Sequence, residues 1–274
     1  MLTIPETLHA QASAAVHKAD GLRSPGRFVV SGMLAGAYIG IGVVLMVSTA
    51  GPLTASGDGL TKLVSGLVFG VALTLVVFAG ADLVTSAMVV LPQGALMRAV
   101  GPWRALGTVG ATFAANLVGA LAFAGLIAAS GVLHANAAAG QMLSDMLAAK
   151  AHEGPVELFV RGILCNVLVC LAIWMCARVH SDVAKILLIF AAILAFISSG
   201  FEHVVANMTT YGIGLFTGDA NATLPLFASN LLWVGLGNFV GGALIVGVGY
   251  WVIGGSPRLT VPAETRERAL APVD

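Results

Sequence analysis

The sequence predicts an all-α membrane protein. Six transmembrane helices form two inverted three-helix repeats, and the second and fifth helices are broken. Three observations lead there. Of 274 residues, 58% are hydrophobic and only 9% charged, with a mean hydropathy of +0.96; a soluble globular domain carries roughly 25% charged residues. Six apolar runs each reach the ~20 residues that a membrane crossing needs. Two of the runs are over-long, and each holds the same polar interruption. Gly80-Ala81-Asp82-Leu83-Val84-Thr85-Ser86-Ala87-Met88 aligns with Gly200-Phe201-Glu202-His203-Val204-Val205-Ala206-Asn207-Met208 as Gly-x-acid-x-Val-x-x-x-Met.

Three regions follow: residues 1–27, a membrane domain over 28–253 with repeats of about 28–130 and 155–253, and a tail over 254–274. Thr3 to Asp20 reads as an amphipathic helix, with Leu8, Ala12, Ala15, Val16 and Ala19 recurring at helical spacing. It is expected to lie along the cytoplasmic surface. No apolar segment follows a basic start in Met1–Arg27, so the first span is expected to be retained. Span one runs from Phe28 to about Ala50, and its Gly32, Gly36 and Gly40 form a small-residue stripe suited to close helix approach. Leu60–Leu91 is too long for one simple crossing, so a break is expected at Gly80-Ala81-Asp82.

Ala105 to about Ala129 is span three, with Asn116 inside. Gly131–Glu153 reads as a polar linker. Pro155 opens span four, which contains Asn166. Ile186 to about Phe216 is again over-long, with Gly200-Phe201-Glu202-His203 at its middle. Leu224 to about Ile253 is span six, with Asn238 inside. The halves also match elsewhere: Asn116-Leu-Val-Gly-Ala with Asn238-Phe-Val-Gly-Gly, and Gly32-Met-Leu with Gly162-Ile-Leu. Three spans per half, an odd number, turn the second half upside down.

Lys18, Arg23, Arg27, Arg98, Arg104, Arg178, Lys185, Arg258, Arg266 and Arg268 fall on one side, against Lys62, Lys150 and Arg161 on the other. The positive-inside rule then places both termini in the cytoplasm. Net charge is zero, which gives a nucleic-acid partner no support. Cys165, Cys170 and Cys176 match neither a zinc motif nor a C-x-x-C pair and read as packing residues. No metal site or cofactor is expected.

Charged side chains at bilayer depth cost at least ~2.5–3.5 kcal/mol on insertion scales, so the two motifs are where function is sought. Helix N-termini beginning after two breaks would meet near the midplane and favour a small anion. Thr85 and Asn207 add neutral donors, and His203 is the side chain there that titrates near neutral pH. Asp82 and Glu202 are expected to turn away from the anion, toward backbone N–H groups or a neighbouring ring. Asn116, Asn166 and Asn238 read as ties between helices. Lys150 is open between an ordinary solvated charge and part of an anion-attracting vestibule.

The two motifs, with Ser199 before the second, resemble the formate–nitrite transporter family. So do Gly162-Ile-Leu-Cys-Asn166-Val-Leu-Val-Cys170-Leu-Ala-Ile-Trp174-Met and Leu236-Gly237-Asn238. The resemblance runs from about Phe28 to Ile253 and is nearest to the family's nitrite channel. It implies an aquaporin-like protomer in a homopentamer, in a bacterial inner membrane, with one pore per protomer. His203 would be the central pore residue, Thr85 would face it, and Glu202 and Asn207 would share its hydrogen-bond network. Lys150 and Asn166 match positions near the vestibule and centre. Leu83 and Val84 would form a periplasmic constriction, and Phe69, Leu73 and Phe196 a cytoplasmic one. The family usually has Phe where Val84 stands. The implied activity is passive or proton-linked passage of nitrite, with formate or hydrosulfide as alternatives. An aquaporin-type channel lacks support because neither Asn116 nor Asn238 is followed by Pro. An intramembrane enzyme using Glu202 and His203 is a remote alternative, as no nucleophile is paired to them by motif.

Overall fold

Every regular element in the computed structural model, which describes residues 1–259, is helical. Five helices are long and apolar enough to cross a membrane: Pro25–Ala55, Thr61–Ala79, Pro102–Ser130, Pro155–Arg178 and Leu224–Ile253. In chain order, α1 is Ile4–Gly21, α2 Pro25–Ala55, α3 Thr61–Ala79, α4 Val84–Leu96, α5 Pro102–Ser130, α6 Val132–Ala135, α7 Ala137–His152, α8 Pro155–Arg178, α9 Asp182–Ser198, α10 Val204–Thr217 and α11 Leu224–Phe239. A π-helical stretch, Val240–Val248, joins α11 to a last helix, α12 (Gly249–Ile253). Residues 260–274 of the sequence-predicted tail lie outside the described residues.

Both over-long runs break where the motifs predict. Gly80 ends α3 at φ +77° and Gly200 follows α9 at φ +74°, a left-handed conformation that costs other L-residues steric strain. Both turns close alike, with Ala81 N–H bonded to Val76 O and Phe201 N–H to Phe196 O. After the extended residues, α4 and α10 start afresh with 13 and 14 residues, each shorter than a full crossing. Around the breaks, α2 packs on α3 and α5, α8 on α9 and α11, and α3 on α9.

Two sequence expectations need correction. The segment expected to be a polar linker between spans three and four is mostly helix α7. Asn136 caps it through Ala139 N–H at 3.2 Å, and Ala139, Leu143 and Leu147 bury one face against α2 and α10. Its many alanines keep helix propensity high while diluting the apolar stripe. The second correction concerns α1. Thr3 and Glu6 form a capping box, and Leu8, Ala12, Ala15 and Ala19 are fully covered. The cover is protein rather than lipid: Leu8 and Ala12 join Met97 and Trp174 in one cluster, and α1 lies chiefly along α4. Leu2 N–H bonds to Arg178 O at 2.8 Å, and Arg104 reaches Asp20 at 2.6 Å. That hydrogen bond holds the Asp20 carboxyl below the ordinary aspartate range.

The bundle therefore has two ends. One carries α1 and the α4–α5 and α8–α9 turns. The other carries the α2–α3 turn, α6, α7 and the α10–α11 turn.

Two glycines separate two kinds of constraint. Around Gly200 a Cβ would meet open space, so Gly200→Ala adds backbone strain alone, about 1–2 kcal/mol. At Gly36 a Cβ would run into the Asn116 and Ala120 backbone of α5, so Gly36→Ala forces two helices apart. Thermal unfolding in detergent is expected to show both variants destabilised, Gly36→Ala the more so.

Candidate functional site

A backbone break inside an apolar bundle exposes N–H and C=O groups that must find partners. Here two buried asparagines supply them in the same way. The Asn116 amide donates to Gly32 O (2.9 Å) and Asp82 O (2.8 Å), while its oxygen accepts from Val84 N–H (2.8 Å). The Asn238 amide donates to Gly162 O (2.8 Å) and Glu202 O (2.9 Å), and its oxygen accepts from Val204 N–H (2.9 Å). The motif acids add a matched pair of backbone bonds, Asp82 N–H to Ser31 O at 3.4 Å and Glu202 N–H to Arg161 O at 3.3 Å. The freed backbone groups of each extended segment are thus met chiefly by main chain and a buried amide, with the Ser31 hydroxyl also accepting from Asp82 N–H at 3.1 Å. The half-helix N-termini are partly occupied by these amide oxygens.

The acids were expected to turn away from the anion, but Glu202 stands on a cavity wall, and each acid has a lysine partner. Among the described residues, neither carboxylate binds a backbone N–H or a ring. Asp82 Oδ1 accepts from Lys18 Nζ on α1 at 2.6 Å and Oδ2 from Ser31 Oγ at 3.1 Å. Glu202 takes Lys150 Nζ on α7 at 2.5 Å to both oxygens, and Asn207 Nδ2 at 2.6 Å. The sequence left Lys150 open between a solvated charge and a vestibule charge. It is a buried ion-pair partner, 10% exposed beside a 7% exposed Glu202, on the wall of a cavity. Asn207 also donates to Asn230 Oδ1 at 2.7 Å.

His203 ends its extended segment and caps α10, its Nδ1 accepting from Ala206 N–H at 3.2 Å. A nitrogen that accepts from an amide N–H carries no proton. The neutral ring therefore bears its hydrogen on Nε2, which donates to Thr85 Oγ1 at 3.1 Å. Thr85 is held in turn from behind. Asn166 Nδ2 donates to Thr85 O (3.3 Å) and Asn238 O (2.6 Å), and Cys170 Sγ to Thr85 O (3.4 Å).

A cavity of about 280 Å³ leads to this ring from the α7 end, walled by Phe69, Phe196, Phe201, Lys150, Glu202, Asn207 and His203. Phe69 meets Phe196 edge-on at 6.0 Å, and Phe196 stacks beside His203 at 6.0 Å. His203 lies on its wall, and Thr85, hydrogen-bonded to the ring, is fully buried. Arg161 and Glu153 form another ion pair on its wall. Burial pushes the Glu153 carboxyl above the ordinary range, Glu202 adding to the rise and Lys150 and Arg161 opposing it.

Of the residues singled out from sequence, His203, Thr85, Glu202, Asn207 and Lys150 come together. Asn166 is fully buried behind Thr85, off the cavity wall. Leu73, Leu83 and Val84 are also covered and do not line the cavity. Phe69 and Phe196 were expected at the N-terminal end but lie on the α7 end with Lys150, whereas Leu83 and Val84 follow Asp82, whose partner Lys18 belongs to α1. The reason is topological: α2 carries the chain to the far end, so Phe69, eight residues into α3, sits near where α3 begins. Sequence reasoning missed Lys18, Ser31, Arg161 and Asn230. Lys18 had a usable signal, since it precedes Pro25 on an amphipathic segment much as Lys150 precedes Pro155.

Residues 5–252 match the family described as Formate/nitrite transporter. The chain belongs to this family. It is 38% identical over 238 residues to the nitrite transporter NirC of Escherichia coli (strain K12), covering 83% of this chain and 84% of that relative. With the formate channel FocA of the same organism it shares 32% over 259 residues, covering 88% and 90%. A solved structure described as an FNT family ion channel superposes with a TM-score of 0.83 at 36% identity, covering 90% of this chain and 98% of the other. A pentameric formate channel with formate bound superposes at 0.73 and 28% identity, covering 84% and 98%. These relatives are transporters and channels, which sets the intramembrane-enzyme alternative aside.

Two predictions follow from the geometry. Lys150→Met strands a buried carboxylate and is expected to destabilise by about 3–5 kcal/mol, most of it recovered in Lys150→Met/Glu202→Gln; chemical denaturation in detergent reads both. Asn238→Leu leaves Val204 N–H and Glu202 O without partners, at about 1–3 kcal/mol each. Asn116→Leu is expected to match it within error in the same assay.

Proposed function

We propose that this chain is one protomer of a homopentameric channel in a bacterial cytoplasmic membrane, with both termini in the cytoplasm. Each protomer passes a small monovalent anion, nitrite foremost, through its own pore past His203. The similarity to NirC at 38% identity, above FocA at 32%, favours nitrite; formate is the second reading, supported by FocA and by the formate-bound relative. Within the protomer, residues 28–253 form the channel as two inverted three-helix repeats in an aquaporin-like arrangement. The matched Asn116 and Asn238 bonds and the matched acid–lysine pairs support that duplication. Residues 1–27 and 254–274 lie on the cytoplasmic side.

The observation that carries the reading is the Nε2–H of His203, held against Thr85 beside a cavity with cationic side chains on its wall. A bare anion in low dielectric costs tens of kcal/mol by Born estimates and must be stabilised or neutralised. Lys62, Lys150 and Arg161 bias the cavity for anions, two of them partly offset by Glu202 and Glu153. Phe69 and Phe196 strip water from the solute. Nε2–H and the Thr85 hydroxyl then donate to the anion in place of each other. Leu83 and Val84 form the apolar passage beyond. Passive passage needs no more than this neutral donor. Proton-linked passage needs an imidazolium, whose Nδ1–H would face the Ala206 N–H, so α10 must first give up that cap. The ring then passes its Nε2 proton to nitrite, leaving nitrous acid and neutral imidazole, and recovers a proton from water.

In His203→Asn the amide oxygen can still cap Ala206, so the fold is expected to persist. Nitrite flux into proteoliposomes, measured at two pH values beside formate and hydrosulfide, is expected to fall and to lose its pH dependence. A pH profile identical to that of the unaltered protein would remove His203 from the mechanism.

A further inference from the structure

Three cationic side chains reach the cavity, and they are not equivalent. Lys150 is consumed by Glu202, with both oxygens at 2.5 Å and only 10% of the side chain exposed. Lys62, at the start of α3, is a compact point charge on the wall. Arg161 is 41% exposed on the wall, and its contact with Glu153 runs through Nη1. A guanidinium has five N–H donors in one rigid plane, so that contact leaves most of them free. Its placement is fixed at both ends. Glu153, 12% exposed, holds the head group, and the Arg161 carbonyl accepts from Glu202 N–H at 3.3 Å, tying the residue to the break that presents His203.

We propose that Arg161 is a specificity-determining residue, whose unpaired edge binds both oxygens of a planar two-oxygen anion before it reaches His203. Nitrite and formate offer two acceptor oxygens at carboxylate-like spacing, which suits a guanidinium fork. Hydrosulfide and chloride offer one compact centre, on which two parallel donors converge with poorer alignment. A lysine supplies the charge without the fork. Glu153 is a positioning residue that also competes for the guanidinium. The inference rests on the anion-channel reading and adds to it the chemical class that the cavity prefers.

The test is concentration-dependent uptake of nitrite, formate and hydrosulfide into proteoliposomes at one pH, for the unaltered protein, Arg161→Lys and Glu153→Gln. Arg161→Lys is expected to raise the apparent KM for nitrite and formate about tenfold, the loss of one charge-assisted hydrogen bond. Maximal rates should hold, and the hydrosulfide KM should move less than about twofold on the same scale. Glu153→Gln keeps the guanidinium and removes its competitor, so it is expected to lower the KM for the two-oxygen anions. A parallel shift for all three anions, or none, overturns the proposal and leaves Arg161 a general charge or a scaffold. If the unaltered protein carries formate but not nitrite, the nitrite reading falls while the Arg161 test runs on formate. If it carries hydrosulfide alone, both fall.

Discussion

An interrupted helix within an apolar bundle is tolerable only if its freed backbone groups are satisfied, and that constraint organises this protein. Asn116 and Asn238 meet it with three hydrogen bonds each, two given and one accepted, to the neighbouring span, the extended segment and the first residue of the new helix. An amide is the side chain suited to this, because it donates and accepts without bringing charge into low dielectric.

The carboxylates next to these segments are a different matter. A buried Glu202 and a half-buried Asp82 are costly alone, and each is met by a lysine from a helix that precedes the next span, Lys18 on α1 and Lys150 on α7. This gives those helices a purpose beyond covering the bundle. Their apolar faces seat them on α4 and on α2 with α10, and the seating delivers an ammonium to a fixed point. The desolvation cost of such a pair is recovered only with good geometry and further hydrogen bonds. Ser31 completes the first pair and Asn207, backed by Asn230, the second.

Against this matched background the differences mark the chemistry. Leu83 and His203 occupy the same motif position, as do Thr85 and Val205. The two broken segments are alike in what holds them in place and unlike in the side chains they carry. One half contributes the imidazole and the other the hydroxyl, and the two meet at 3.1 Å. Because Nδ1 is committed to capping α10, the protonation state of the ring is coupled to the stability of a helix start.

Local signals in the chain were enough for several conclusions. Apolar runs and scarce charge gave the membrane class. Two over-long apolar runs, each with a glycine and an acid near its middle, gave both interruptions, since run length and a charge amid apolar residues are features of sequence itself. His203 stood out for the same reason. What a linear reading missed depends on residues far apart. Lys18 and Asp82 are separated by 64 positions and Lys150 and Glu202 by 52, so no local spacing links them. Helix α7 hid behind alanines whose burial is decided by α2 and α10. The end at which Phe69 and Phe196 lie, the donor nitrogen of His203 and the freedom of Arg161 were likewise settled by packing. Composition and periodicity report what each segment needs from its surroundings; only the folded chain determines which group supplies it.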